Sequence, residues 1–278
     1  MSSVASGMGV VIDAFGVTDQ GKVRERNEDN FLIVEIQKSV EVKHSSLAPD
    51  ALGDRFGART ATLFVVADGV GSGPEGDRAS GDAVKAILEY VREAAGCFQS
   101  LTAPKEHELL ERLEDAVRGV HEALTASRQF TRQAPATTLT MVLLTWPRAY
   151  LIHVGDSRAY VRRSGRVQRI TQDQTFGDYM VNLGAWTEEQ AAKSRPGATL
   201  TSAVGGPEMQ PVVGLVDLEP GDSLMLCTDG LIRHVSDERI ASILGEDSNA
   251  EAMARTMLKE ALDGGGRDNV SVIVVRTQ

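Results

Sequence analysis

Cysteine is almost missing from this 278-residue chain: there are two, Cys97 and Cys227. Two thiols build no disulfide framework, which favours a reducing compartment. Cys97 falls in a helical pattern and Cys227 in a strand-like run, so both read as small buried apolar residues. Histidine is also scarce. The five, His44, His107, His121, His153 and His234, form no HExxH and no close pair, which removes the usual zinc patterns. His153 alternates within a strand and reads as a packed histidine. No uncharged apolar run approaches the ~20 residues of a membrane helix. Residues 1–16 carry neither a basic stretch nor a long apolar core, so no secretory leader is expected. Basic charge is in deficit, 29 Lys and Arg against 39 Asp and Glu, for a net charge of −10. Such a field disfavours nucleic acid and anionic membranes. A phosphorylated ligand would need a local cation. A cytoplasmic protein is expected.

The remaining composition, 42% hydrophobic and 24% charged, is that of a globular chain. Residues 1–8 are small and read as a flexible N-terminus. Residues 9–278 read as a single domain. Strands are expected at 9–18, 31–36 and 62–68, with a polar loop insertion at 37–60. Helices follow at 77–95 and about 105–130; in the second, Leu109, Leu113, Val117, Val120 and Leu124 recur at helical steps. The period then changes. Short strands at 137–146, 149–155, 158–163 and 166–171, joined by tight turns, read as an antiparallel meander. A polar, flap-like stretch spans 172–210. Strands at 211–216 and 222–228, a helical region near 237–262 and a last strand at 270–275 complete the chain. The last strand has no turn partner and is expected to pair with the first. Elements that do not alternate strictly argue for antiparallel sheets flanked by helices.

Four stretches put an aspartate at the end of an apolar strand, beside a glycine or a turn: VVADGVGSG (Asp68, Gly69), HVGDSRAY (Asp156), LCTDGL (Asp229, Gly230) and GGGRDNVSV (Asp268, just before the last strand). A fifth acidic cluster, RERNEDN, occupies 24–30. One Asp-Gly pair is a common turn. Several carboxylates gathered together would repel and lose solvation unless a cation joined them. Oxygen donors without paired cysteines or histidines suit Mg²⁺ or Mn²⁺. Arg24 reads either as a surface ion pair with Glu25, Glu28 or Asp29, or as a bidentate clamp on phosphate.

GSGPEG at 71–76 satisfies GxGxxG after a strand and before a helix, with Glu93 near the position of a ribose-binding acid. A nicotinamide oxidoreductase is therefore an alternative. Asp68 and Pro74 crowding the turn, and a second helix in place of the next parallel strand, count against it. GxxxxGK[ST] and GxSxG are both missing.

In order, GKVRERNEDN, VVADGVGSGPEGDRAS, ATTLTMVLL, LIHVGDSRAYVRR, ITQDQT, LCTDGL and GGGRDNVSVIVV resemble the bacterial metal-dependent serine/threonine protein phosphatases of type 2C, over about residues 16–276. The resemblance implies an α+β fold, a four-layer α-β-β-α sandwich of two antiparallel sheets flanked by helices. It implies hydrolysis of phosphoserine and phosphothreonine by a metal-activated water at two Mn²⁺ or Mg²⁺ ions. Asp68 would bridge the ions, the Gly69 carbonyl would hold one, and Asp229 and Asp268 would complete the set. Asp156 with Asp229 would match a weaker third site. Glu28 and Asp29 would lie behind, holding metal-bound waters, and Asn269 would support Asp268. Arg24 would bind the substrate phosphate. The implied partners are phosphoproteins and a serine/threonine kinase; a monomer is expected. Two departures stand out. Gly73 occupies the place of a histidine in the pattern DGMGGH, and Asp173-Gln174 replaces the usual Asp-His. A regulatory module that keeps the fold and binds phosphoprotein without turnover is a further alternative.

Overall fold

The first and last strands pair. In the computed structural model, which describes residues 10–38, 58–70, 74–94, 103–127 and 135–278, β1 (Ile12–Asp19) runs antiparallel to β11 (Val270–Thr277), with Asp19 opposite Val270. Strands β10 (Ser223–Cys227), β7 (Arg158–Arg163) and β8 (Arg166–Arg169) extend this sheet in the order β1-β11-β10-β7-β8. The other sheet runs β2 (Asp29–Lys38), β3 (Ala58–Val70), β5 (Leu139–Thr145), β6 (Arg148–Val154) and β9 (Val212–Asp217), and the two-residue β4 (Ala136–Thr137) pairs with the end of β3. Every pairing among the described strands is antiparallel. The parallel crossover of a dinucleotide fold is thus not formed, and the GxGxxG reading falls; residues 71–73 of that motif lie outside the described residues, as do Cys97 and most of the 37–60 insertion.

Alternation in β3 explains the layers. Phe64 and Val66 face the other sheet and pack with Leu224, Leu226, Ile273 and Val275. Leu63, Val65 and Ala67 face outward, onto Ala79, Ala83, Ile87 and Val91 of α1 (Pro74–Ala94) and Leu113, Val117, Val120 and Leu124 of α2 (Ala103–Ser127). The other sheet is covered from outside by α5 (Asp229–Ile232), α6 (Asp237–Leu244) and α7 (Ala250–Asp263), whose Met253 and Met257 meet Met225 and Val274. This is the expected α-β-β-α sandwich. The helical region near 237–262 is two helices, because Ser236 and Asn249 each cap a new first turn. Within 172–210 lie α3 (Phe176–Asn182), α4 (Glu188–Lys193) and a 3-10 turn at Pro196–Ala198.

One expectation is corrected. The four strands from 137 to 171 are not one meander: β5 pairs with β6 and β7 with β8, but β6 and β7 belong to different sheets. Gly155, at φ 108°, turns the chain out of one sheet and into the other. A Cβ there would strike Thr138, and the Ser157 and Thr138 hydroxyls bond at 2.8 Å to fix the corner. A short link between strands looks alike in sequence whether it closes a hairpin or turns a sandwich corner.

Phe64 is fully buried between the sheets. Phe64→Ala is expected to cost about 3–5 kcal/mol, read as a lowered midpoint in urea denaturation; a loss under about 0.5 kcal/mol would place it outside the shared core.

Candidate metal centre

Strand ends from both sheets meet at one edge of the sandwich, and each brings an acid. Asp68 and Gly69 sit near the end of β3, and the β2–β3 register sets Asp29 directly opposite Asp68. Asp229 opens α5 just after β10, Asp268 and Asn269 precede β11, and Asp156 rides the corner between the sheets. Two of the Asp-Gly pairs have a steric reason. A Cβ on Gly69 would collide with the Gly76 carbonyl, and one on Gly230 with the Asn269 carbonyl, so backbone segments approach where no side chain fits.

Neutral groups fasten the edge. Thr228 donates its hydroxyl proton to Asp29 Oδ2 at 2.7 Å. The Glu28 amide donates to Asn269 Oδ1 at 2.9 Å, and Asn269 Nδ2 donates to the carbonyls of Gln20 and Arg26 at 2.8 and 2.7 Å. Asn269 therefore ties the loop carrying Arg24 to the start of β11. The Asp68 amide donates to Thr138 Oγ1 at 3.0 Å, and the Asp68 carbonyl accepts from Thr137 Oγ1 at 2.8 Å.

The carboxylates act on one another. Burial, then the charges of Asp29, Asp229, Asp156 and Asp268, push Asp68 well above the ordinary carboxylate range. Burial, then Asp229 and Asp173, lift Asp156 to about 8. Burial lifts Asp29 to about 7 against the Thr228 hydrogen bond, with Asp229 and Asp268 adding to the rise. Burial raises Asp229 too, with Arg233 opposing. Asp29 Oδ1 is buried and has no hydrogen-bond partner.

Two arginines complete the edge. Arg24 grips Asp268 with both arms of its fork, Nε to Oδ1 at 2.7 Å and Nη2 to Oδ2 at 2.8 Å. The expected surface pairing with Glu25, Glu28 or Asp29 is replaced by this one, because the 20–26 loop is folded onto the start of β11. Arg233, which the sequence reading missed, donates from Nε and Nη2 to Asp229 Oδ2, and its Nη1 lies 3.7 Å from Asp268 Oδ2. Its position four residues after an aspartate opening a helix was the available signal. No three acidic, histidine or cysteine side chains among the described residues stand at the mutual spacing of a closed cation cage. The donor chemistry nevertheless fits a hard cation: crowded aspartates, an adjacent glycine backbone and an orphaned buried oxygen.

The remaining residues fall outside the cluster. His153 is buried, with Nδ1 bonded to Thr140 Oγ1 at 2.8 Å and Nε2 to the Gln172 carbonyl at 3.0 Å, as its strand alternation implied. Cys227 is buried in the sheet, and burial pushes its thiol up to about 12. Asp173 forks with Arg158 at 2.6–3.1 Å. Gln174 Oε1 accepts from the Gly155 amide at 2.8 Å and so pins the start of the 172–210 stretch to the corner. Gly73 lies outside the described residues.

A sequence-family model described as protein phosphatase 2C matches residues 42–263, and the chain belongs to that family. It is 34% identical over 216 residues to the serine/threonine protein phosphatase PstP of Mycobacterium tuberculosis, a match covering 77% of this chain and 40% of that protein. The chain thus spans about two fifths of the length of those mycobacterial relatives. It is 25% identical to the serine/threonine phosphatase stp of Listeria monocytogenes, over 93% of both chains. Among solved structures it superposes on the catalytic domain of PstP in complex with two manganese ions with a TM-score of 0.74, 29% identity and coverage of 96% and 99%. A Streptococcus agalactiae serine/threonine phosphatase shares the fold, with a TM-score of 0.78, 23% identity and coverage of 96% and 100%.

Raised carboxylate pKa values have a sign in stability. Asp29 near 7 and Asp156 near 8, against an ordinary 3.8, mean that the folded state binds more protons than the unfolded one between those values. Their contribution is greatest at the acid end of that window and is lost as pH rises through it. With a chelator present, Asp229→Asn, which removes a charge that lifts both Asp29 and Asp156, is expected to flatten the decline of the thermal midpoint between pH 5 and 8. An unchanged slope would show that these acids do not repel one another.

Proposed function

We propose that this protein is a phosphatase that removes phosphate from phosphoserine and phosphothreonine in proteins, using two Mn²⁺ or Mg²⁺ ions. The observation that carries the reading is the convergence of Asp68, Asp156, Asp229 and Asp268 from both sheets on one edge, where burial and then the charges of the other three raise Asp68. Family membership supports it. In this reading Asp68, the Gly69 carbonyl, Asp229 and Asp268 would hold the two ions, and Asp156 with Asp229 would hold a weaker third. Bound divalent cations supply an activated water and offset charge on the phosphoryl oxygens.

The protein's own groups do the rest. Arg24, whose Nε and Nη2 are taken up by Asp268, keeps 45% of its side chain exposed and would turn guanidinium donors to phosphoryl oxygens as cations weaken that pairing. Asn269 holds the Arg24 loop and the start of β2 in register, so the fork and the acids keep one geometry. Glu28 and Asp29 would stand behind the ligands and hold metal-bound waters. No covalent phosphoenzyme is invoked. The one cysteine among the described residues is buried, with its thiol near 12, and both ring nitrogens of His153 are engaged. The leaving seryl or threonyl oxygen takes its proton from water, since Gly73 stands where the family pattern has a histidine.

The reading takes residues 9–278 as one phosphatase domain, a monomer acting in the cytoplasm. Its substrates imply a serine/threonine kinase that makes them. No helix among the described residues is long and apolar enough to cross a membrane.

Purified protein is expected to hydrolyse an aryl phosphate and a phosphothreonine peptide with added Mn²⁺, and to stop with EDTA. Asp68→Asn and Asp229→Asn should each lower kcat by at least about 10²–10³-fold while circular dichroism stays unchanged. Arg24→Ala should raise KM about tenfold through loss of a charge-assisted fork. Phosphopeptide binding without any phosphate release would favour the regulatory module instead.

A further inference from the structure

Arg233 is not accounted for by the proposed chemistry, although it touches two of the ligand carboxylates. It follows the four-residue α5 and stands one helical turn after Asp229. Its guanidinium shares Asp268 Oδ2 with Arg24: Arg24 Nη2 lies 2.8 Å from that oxygen and Arg233 Nη1 lies 3.7 Å from it. The separation of those two nitrogens is therefore no more than the sum of the two distances, a span that one tetrahedral phosphate bridges with a hydrogen bond to each side. The two arginines come from different elements, one from the loop before β2 and one from the end of α5. They are equally open to solvent, at 45% and 48% side-chain exposure, whereas Asp268 and Asp229 keep only 12% and 13%. Both arginines are thus more exposed than the carboxylates they hold, with burial weighing more on the Arg233 guanidinium than on that of Arg24.

We propose that Arg233 is a second phosphate-binding residue, which exchanges Asp229 and Asp268 for the substrate phosphoryl group when divalent cations claim those carboxylates. The inference rests on the phosphatase reading above. Arg24, Arg233, Asp229 and Asp268 form a quartet of two positive and two negative charges. A cation at the acids takes their charge and leaves two guanidinium groups with weakened partners, within one phosphate's reach of each other. The arginine and the cations are then competitors for the same oxygens and allies toward the anion. This gives Arg233 a signature that a supporting role lacks. A residue that merely orients Asp229 helps the cation bind, so its loss weakens cation and phosphate together. A residue that exchanges partners opposes the cation and favours the phosphate, so its loss moves the two affinities in opposite directions.

The test is Arg233→Ala, with Arg233→Lys beside it. Calorimetric titration of Mn²⁺ into chelator-stripped protein is expected to show tighter binding in Arg233→Ala, by about threefold or more. Inorganic phosphate, titrated into Mn²⁺-loaded protein and used as a competitive inhibitor, is expected to bind about tenfold more weakly. KM should rise with it, by more than kcat falls. Arg233→Lys keeps the charge but not the fork and should recover part of the phosphate affinity. Weaker Mn²⁺ binding in Arg233→Ala, or an unchanged phosphate constant, overturns the proposal. A wild-type protein inert toward every phosphate ester with Mn²⁺ defeats the phosphatase reading itself, whereas an active wild type with an unaltered phosphate constant in Arg233→Ala defeats this inference alone.

Discussion

The mutual repulsion of buried carboxylates at one edge of the sandwich is the constraint that the rest of the molecule answers. Asp68 is raised first by burial and then by four neighbouring aspartates at once. The fold holds the acids together by mounting each on a rigid element and fastening the mounts with uncharged donors. Phe64 and Val66 lie in the inter-sheet core just before Asp68, Leu226 just before Asp229, and Ile273 shortly after Asp268. Apolar burial on those strands offsets the electrostatic cost a few residues away. The fasteners, Thr228, Asn269, Thr137 and Thr138, use hydroxyl and amide groups. Charged partners meet two of the acids, Arg24 at Asp268 and Arg233 at Asp229. Neutral ones keep position and leave the charge available, which is what a site built for cations requires.

Much of this was legible in the sequence, for reasons that can be named. Apolar runs ending in Asp marked β3, β10 and the approach to β11, because a buried strand needs an unbroken apolar stretch and a site needs a polar end. The β1–β11 pairing followed from a strand with no neighbour in sequence. What was not legible depends on where the chain goes in three dimensions. Gly155 looks like a hairpin glycine, yet it carries the chain from one sheet to the other, and that crossing is what brings Asp156 to the edge. The partner of Arg24 is Asp268, 244 positions away, so local ion-pair reasoning pointed to the wrong acids. The glycines after Asp68 and Asp229 read as turn formers, whereas the structure shows backbone segments approaching with no room for a Cβ. Arg233 sat in plain view four residues after Asp229 but became significant only when Asp268 arrived beside it.

Charge accounting links the edge to its chemistry. The chain carries a net −10, so its general field opposes an anionic phosphoprotein. At the edge, Glu28, Asp29, Asp68, Asp156, Asp229 and Asp268 outnumber Arg24 and Arg233 by a formal four negative charges. Two divalent cations carry the opposite of that balance. In the proposed reading, the arginines are committed to carboxylates before the cations bind, and their partners would be weakened afterwards. Attraction for a phosphate would then be conditional on the cations, and binding would acquire an order, metal first and phosphate second. That order would need no moving lid. It would follow from pairing the acids with two half-exposed arginines, so that the groups which hold the cations also withhold the anion sites until the cations arrive.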